Sequence, residues 1–421
     1  MRNLVLPWAT AAALAWCGLL PHAAAQIALP PVSPPAGQEP PGPLTLETAL
    51  ALAIAQNPTL SASRHELDAT EGGITQARVI PNPEVAVLME DTRQSTRTTT
   101  AQMNLPVELG GKRAARIGVA QRTRELAQAQ LEATQADLRA SVIGAFFNVL
   151  VAQERVRLAA GAVDIARRGA NVAARRVAAG KVSPVEETKA GVELANAELE
   201  RAEADAALVS ARQALATLWG NPSPQFAEAD GSLDTLPARP DALVLREALD
   251  AAPATVASQR ELARRQAEIN VERSRQYPDV TLSLGAKREN ASDRGYYPVL
   301  GVAIPLPLFD RNQGNLYTAI RQADKAADTY RATRLRLDHD LQQATSQLAV
   351  SRGSAQTLRD TVLPAAQRAY QAATQGFEAG KFSYLEVLDA QRTLFQARIR
   401  YLGVVANAWQ AATTIDRILG R

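Results

Sequence analysis

The feature that most constrains the fold of this chain is an internal duplication. AAGKVSPVEETKAG at Ala178–Gly191 and EAGKFSYLEVLDAQ at Glu378–Gln391 share a glycine, a lysine, a serine and a glutamate at the same spacing. Upstream, Pro83 aligns with Pro278 in nearly the same register. Self-similarity at a fixed offset indicates one structural unit that occurs more than once. We therefore expect a first unit at residues 44–220, a linker at residues 221–240 and a second unit at residues 241–421.

The N-terminus has the features of a secretory signal. An apolar run spans Leu4–Leu20, and the small residues Ala23–Ala25 follow it. This combination predicts a signal peptide at residues 1–25 that is removed on export. The Pro-rich stretch after it, residues 26–43, is expected to be extended rather than helical.

The single cysteine, Cys17, lies inside this predicted signal. Removal of the signal leaves no cysteine for a disulfide or for a thiolate metal site. The alternative is lipoprotein processing at Cys17, which we disfavour because the preceding residue, Trp16, is large.

Charge and hydropathy exclude two classes of protein. The chain has 46 Lys and Arg against 43 Asp and Glu, a formal net charge of +3. It has no long run of like charge, so no nucleic-acid partner is predicted. After the signal no apolar stretch approaches the ~20 residues of a membrane-spanning helix. If the exported chain crosses a membrane, it is expected to do so as β-strands.

Local signals mark the helices of the first unit. Thr45 is placed to cap a first helix, Pro58 separates it from a second, and the second is expected to end near Arg78. A proline-free stretch from about Gly111 to Ala179 then predicts a helix of ~100 Å. After the glycine–lysine turn a further helix returns.

This long helix carries a heptad seam. β-branched residues and alanines recur at alternating spacings of four and three, which is the pattern of a coiled coil. The seam positions are Leu138, Val142, Ala145, Val149, Ala152, Val156, Ala159, Val163, Ala166, Ala170, Ala173 and Val177. We therefore expect long helices packed side by side along their whole length.

Each unit also contains a predicted β-hairpin, at about residues 84–105 and 279–304. Its strands alternate apolar residues with small or polar ones, and each is close to the ~9–11 residues of a tilted membrane strand. The expected strands are Glu84–Asp91, Thr98–Leu105, Asp279–Ala286 and Tyr297–Ile304. A soluble hairpin covering a core is the alternative. Four strands cannot close a barrel, and open edges in lipid are costly, so the membrane interpretation requires oligomerisation.

The duplicated unit, the two hairpins and the two turns are similar to the TolC family of outer-membrane efflux channels. The pattern F-x-A-G-K-x-S-x-L-E-V-L-D-A at Phe377–Ala390 carries this resemblance most specifically. The implied fold is mainly α with a membrane β-barrel: a long periplasmic α-barrel plus four strands per chain, closed by trimerisation. The implied location is the outer membrane, extending into the periplasm. The implied partners are outer-membrane lipid, a periplasmic adaptor (membrane fusion) protein and an inner-membrane pump of the RND class.

A narrower resemblance concerns the substrate. The segment Asn104–Arg113 resembles the outer-membrane subunits of heavy-metal resistance pumps, such as the cobalt–zinc–cadmium and nickel–cobalt systems. This resemblance implies export of divalent metal cations. Two alternatives stay open within the channel class, a duct for drug efflux and a duct for type I secretion. The alternative from another class is a periplasmic coiled-coil adaptor without a barrel.

The sequence carries no catalytic motif and no metal-binding motif. Gly110-Gly111-Lys112 lacks the spacing and the Ser or Thr of a phosphate-binding loop. Asp338-His339-Asp340 is adjacent along the chain, and adjacent residues of a helix do not face one point. We predict neither an enzyme nor a cofactor nor a bound metal.

The two turns are the candidate sites. Gly180 and Gly380 are expected to end helices in the left-handed conformation, and Ser183 and Ser383 to cap the returning helices. By the resemblance, the exposed turns contact the adaptor. The expected contact residues are Gly180, Lys181, Ser183, Gly380, Lys381 and Ser383.

An asymmetry between the two copies predicts the entrance of the channel. Glu386 and Asp389 share a helix face, whereas the first copy has Glu186 and Lys189 at these positions. The resemblance implies that Glu386 and Asp389 form an acidic ring at the periplasmic entrance, and such a ring attracts cations. The alternative is that they are solvated acids favoured by the helix dipole.

Overall fold

The computed structural model describes residue 39 and residues 42–91, 93–290 and 295–421. Two long helical hairpins make up most of it, and a π-turn interrupts the second of them. The predicted signal peptide, Cys17 and most of the Pro-rich stretch lie outside the described residues. The first copy comprises β1 (Leu44–Thr45), α1 (Leu46–Gln56), α2 (Pro58–Arg78), β2 (Glu84–Glu90), β3 (Thr98–Val107), α3 (Lys112–Ala178) and α4 (Pro184–Thr217).

A short linker and the second copy repeat this order with one interruption. They comprise β4 (Ala229–Asp230), α5 (Ala242–Glu247), a 3₁₀ turn (Ala248–Ala251), α6 (Pro253–Ser274), β5 (Val280–Glu289), β6 (Tyr296–Ala303), α7 (Gln313–Thr357), a π-turn (Leu358–Val362), α8 (Leu363–Glu378) and α9 (Tyr384–Leu419). The π-turn precedes Pro364, which cannot donate a hydrogen bond to the preceding turn. The long helix of the first copy has no such interruption over its 67 residues.

The predicted helix ends at the start of the first copy are confirmed. The Thr45 hydroxyl accepts a hydrogen bond from the backbone N–H of Thr48 and caps α1. Asn57 caps α2 by accepting from the N–H of Leu60 at 2.8 Å, and its amide donates to the carbonyl of Leu218 at 2.8 Å. One side chain therefore both starts α2 and ties it to the end of α4.

The predicted seam of α3 is buried or half-buried at every position. In its first part it packs on α1, α2 and α4 around the fully buried side chains of Leu60, Leu215 and Trp219. A second cluster joins α5, α7 and α9 around Ile415. A third cluster lies at the far end of the helical hairpins, around Tyr384. Because many seam positions are alanine, the backbones of neighbouring long helices can approach closely.

The two β-hairpins form one antiparallel sheet in the order β2-β3-β5-β6. The central pair, β3 and β5, comes from different copies and is in register from Thr98–Glu289 to Val107–Val280. β5 is longer than predicted, because it continues past Ala286 and includes Lys287 and Glu289. The reason is that both side chains lie on the polar face of the sheet, so they continue the two-residue alternation. β2 and β6 each have one edge without a strand partner among the described residues.

Residue 39 and the linker are fastened to the end of α4. The Glu39 carboxylate, only 7% exposed, accepts hydrogen bonds from the indole of Trp219 at 3.0 Å and the amide of Asn221 at 2.7 Å. The backbone N–H groups of Gln225 and Phe226 also donate to it. A buried carboxylate with this many donors holds residue 39 against the linker.

Among the described residues no helix combines the length and the apolar character needed to cross a membrane.

Candidate functional site

The two turns of the long hairpins have the same backbone geometry. Gly180 and Gly380 adopt φ of +66° and +72°, as predicted. The N–H of Lys181 donates to the carbonyl of Arg176 at 2.9 Å, and the N–H of Lys381 donates to that of Gly376 at 2.8 Å. These are the bonds of a Schellman motif, which satisfies the last carbonyls of a helix. Its left-handed position favours glycine, because glycine has no Cβ to be strained there. Both lysines are exposed at the tips.

The returning helices are capped differently in the two copies. The Ser183 hydroxyl accepts from the N–H of Val185 at 3.3 Å. Ser383 instead forms a capping box, in which its own N–H donates to the carboxylate of Glu386 at 2.7 Å. The Ser383 hydroxyl also donates to Glu386, at 3.3 Å. Glu386 therefore has a structural task in addition to its charge, and that task was not predicted.

Asp389 is exposed and lies one turn further along α9. It lines a groove that also contains Lys189 and Glu193 of α4 and Arg392 of α9. The guanidinium of Arg392 forms an ion pair with Glu193, with Nε to Oε2 at 3.0 Å. Lys189, which replaces the acid in the first copy, thus lies in the same groove as Asp389. Neither Glu386 nor Asp389 belongs to an ion pair within the part of the chain that the structure describes.

The two helical hairpins contact each other just beside their tips, through Tyr384. Its ring is 7% exposed and packs among alanines of α3, α4 and α8. Its hydroxyl lies against Gly169 of α3, where a Cβ would be 1.7 Å from the oxygen. Burial raises the pKa of the Tyr384 phenol. Sequence reasoning missed this contact, although the replacement of Pro184 by tyrosine in the second copy was a visible signal.

A cation–aromatic contact adds to this junction. The guanidinium carbon of Arg176, at the end of α3, lies 4.0 Å from the centre of the Phe377 ring at the end of α8. The Phe377 ring is 5.6 Å from that of Tyr384. Contacts of this kind contribute ~0.5–1 kcal/mol at exposed sites. The turn regions of the two copies are thus joined side by side.

At the other end of the hairpins the sheet has one apolar and one polar face. Val85, Leu284 and Leu300 point to the apolar face and are 74%, 58% and 79% exposed. On the polar face, Gln102 donates to Asn104 at 3.2 Å, and the hydroxyl of Ser283 lies 2.8 Å from the same amide oxygen. Exposed apolar residues on a strand face suit contact with lipid, and the polar face suits contact with water.

The sequence cluster Asp338-His339-Asp340 does not converge on one point. Asp338 accepts two hydrogen bonds from the guanidinium of Arg246, at 2.5 and 2.6 Å. Asp340 lines a separate groove between α7 and α9. Across the described residues, no group of three or more His, Cys, Asp and Glu side chains is arranged to hold a metal ion.

Comparison with known proteins agrees with this architecture. The family model described as outer membrane efflux protein matches residues 49–221 and 244–421, which are the two copies. The chain is 64% identical to the cobalt-zinc-cadmium resistance protein CzcC of Cupriavidus metallidurans, over the full length of both. It is 29% identical to the nickel-cobalt-cadmium resistance protein NccC of Alcaligenes xylosoxydans xylosoxydans, over 75% of this chain and 72% of the relative.

A solved structure of CusC has the same fold. It superposes with a TM-score of 0.74 at 17% identity and covers 89% of this chain and 91% of its own. The predicted fold class is confirmed by this likeness together with the helical duplication and the four-stranded sheet. Because the family model matches both copies, the chain belongs to the outer membrane efflux protein family and has the fold of TolC-type channels.

Proposed function

We propose that this chain forms the outer-membrane duct of a heavy-metal efflux system, and that it exports divalent cations such as cobalt, zinc, cadmium and nickel. The observation that carries this proposal is the 64% identity to a cobalt-zinc-cadmium resistance protein over the whole chain. The duct is passive and is not an enzyme. It conducts ions without holding them, so it needs no high-affinity metal site.

The proposed assembly is a homotrimer. The sheet has two open edges, β2 and β6, and an apolar face with side chains such as Val87, 67% exposed. In lipid, unpaired strand edges are unfavourable by several kcal/mol per group. Joining β6 of one chain to β2 of the next would close a barrel and satisfy both edges. The long hairpins would then extend the duct through the periplasm to an adaptor protein and an inner-membrane RND pump.

The entrance of the proposed duct lies at the tips. Glu386 and Asp389 are exposed on the first turns of α9, next to the Schellman turn at Gly380. Repeated around a threefold axis, their carboxylates would form a ring of negative potential that favours cations. The exposed turn residues are proposed to contact the adaptor; they are Gly180, Lys181, Ser183, Gly380, Lys381 and Ser383.

Substrate class can be tested by deletion of the gene in its host. Sensitivity to cobalt, zinc, cadmium or nickel is expected to rise, whereas sensitivity to dyes and antibiotics is expected to change little. Expression of the intact chain should restore metal resistance. The opposite pattern of sensitivities would identify a drug-efflux duct and would refute the metal assignment.

The role of the acids can be tested by ion selectivity in planar bilayers. Glu386→Gln keeps an oxygen that can accept from the Ser383 N–H, so the capping bond survives while the charge is removed. Combined with Asp389→Asn, it is expected to lower the cation preference of the channel. The matched control is Glu186→Gln in the first copy, where Lys189 already offsets the charge. Equal behaviour of the two variants would show that the acids only stabilise the helix ends.

A further inference from the structure

An exposed apolar surface lies where the sheet meets the long helices. Its members are large side chains at the ends of α2, α6 and β6 and at the start of α7. We call this surface the collar; its members are Ile80, Tyr277, Leu306, Leu308, Phe309 and Tyr317, all at least 60% exposed. Leu306 and Leu308 follow the apolar residues Leu300 and Val302 of β6 along the chain, in the segment after the strand ends at Ala303. The collar therefore lies between the sheet and the long helices.

Exposed arginines accompany the collar. Arg78, Arg113, Arg273 and Arg311 are exposed, and none of them forms an ion pair with another described residue. The Nε of Arg113 donates to the backbone carbonyl of Arg78 at 2.8 Å, so the Arg113 side chain reaches the end of α2. Four guanidinium groups at one level of the molecule thus lack a carboxylate partner within the described chain.

Three acids at this level are each paired with a base. Asp279 pairs with Lys112 at 2.7 Å, Glu272 pairs with Arg275 at 2.7 Å, and Glu108 pairs with Arg116. Asp310 accepts from the backbone N–H of Asn312 at 2.9 Å. The local excess of charge is therefore positive, although the whole chain is nearly neutral.

Contacts between and within the two copies join the collar and the nearby arginines into one continuous band. Tyr277, from the second copy, packs so closely on Gly110 of the first that a Cβ there would lie 2.6 Å from Tyr277 Cβ. On the other side, Gln276 donates to the carbonyl of Arg311 at 3.3 Å. The band thus runs from the end of α2, past the start of α3 and the end of α6, to the start of α7.

We propose that the collar and its four arginines bind the headgroups of anionic glycerophospholipids in the periplasmic leaflet of the outer membrane. Tyrosine and phenylalanine side chains at the end of an apolar strand face occupy the interface between acyl chains and headgroups. Guanidinium groups beside them are placed to bind phosphate, and clustered cations favour anionic lipid over zwitterionic lipid. This inference rests on the proposed insertion of the sheet in the outer membrane.

The proposal can be tested by native mass spectrometry of the purified assembly in nanodiscs that contain equal amounts of phosphatidylglycerol and phosphatidylethanolamine. The wild type is expected to retain phosphatidylglycerol with a preference of at least about tenfold. The variant in which Arg78, Arg113, Arg273 and Arg311 are all replaced by Gln is expected to lose this preference. The same four positions replaced by Lys should keep most of it, which separates the effect of charge from a failure to fold.

A matched control removes the same charge elsewhere. Replacing Arg139, Arg168, Arg352 and Arg368 by Gln, all exposed and without an ion pair among the described residues, should leave the lipid preference unchanged. Absence of a preference in the wild type, retention of the preference in the Gln variant, or loss of the preference in the control would each overturn the inference. Outer-membrane fractionation and metal resistance test the proposed function separately, so its failure would be distinguishable.

Discussion

Replacing Gly169 by alanine tests whether the Tyr384 contact holds the two hairpins together. Gly169 lies within α3, and its missing side chain leaves the space that the Tyr384 hydroxyl occupies. An alanine Cβ would lie 1.7 Å from that oxygen and 2.7 Å from Cζ of the ring. No rotation of the hydroxyl alone relieves a contact with Cζ, so the whole ring must move out of its cluster.

The expected magnitude follows from two opposing effects. Glycine in a helix interior is ~1 kcal/mol less favourable than alanine, so the substitution stabilises α3 itself. Overpacking a filled site destabilises by ~1–3 kcal/mol. The net expectation for Gly169→Ala is a loss of up to ~2 kcal/mol. Gly161, on the same helix, has nothing within 4 Å of its would-be Cβ, so Gly161→Ala should stabilise the protein.

The assay is the thermal midpoint of the purified assembly, followed by circular dichroism and by heat-dependent migration on a gel. Gly169→Ala should lower the midpoint and Gly161→Ala should raise it. In the background of Tyr384→Ala the obstructing ring is gone, so Gly169→Ala should become stabilising. If Gly169→Ala raises the midpoint in the wild-type background as Gly161→Ala does, the packing argument is refuted. Gly169→Ala should also increase channel opening in planar bilayers, because Tyr384 lies beside the tips.

Three further predictions concern other parts of the fold. Hydrogen bonds from Arg264 hold the pKa of Glu261 below its ordinary value, so the stabilisation is present at neutral pH and is lost as the pH falls through the folded pKa. Glu261→Gln should therefore lower the thermal midpoint at pH 7, and the difference from the wild type should vanish once the pH has fallen below the folded pKa of Glu261. Asn57→Ala removes a cap and the bond to Leu218, and urea denaturation should show a loss of ~1–2 kcal/mol. Pro364→Ala should let the π-turn become regular helix, seen as slower hydrogen exchange in that turn; unchanged exchange would mean that packing imposes the π-turn.

Sequence reasoning predicted best what depends on neighbouring residues. The cap at Thr45 needs only a side chain and the next turn, and the left-handed glycines at Gly180 and Gly380 need only the turn itself. The period of α3 is likewise local, because its alanines recur within one helix. These elements lie within one or two residues of their predicted ends.

Most of what was missed depends on residues that are distant in the sequence. The need for glycine at Gly169 is set by Tyr384, and the burial of Glu39 is set by donors around Trp219. Neither partner is visible from the local pattern. The end of β5 was placed too early because polarity was taken as a loop signal, whereas Lys287 faces the polar side of a sheet.

The open edges of the sheet have a genetic consequence. β2 and β6 are completed, in the proposed homotrimer, only by a strand from a neighbouring chain. One chain with a damaged edge therefore leaves the whole ring unclosed. When such a variant is produced in equal amount with the wild type, only roughly one assembly in eight consists of intact chains alone. Damage to an edge strand should thus be dominant in a cell that carries both alleles. Deletion of one allele of the gene should be recessive, because the remaining chains are all intact.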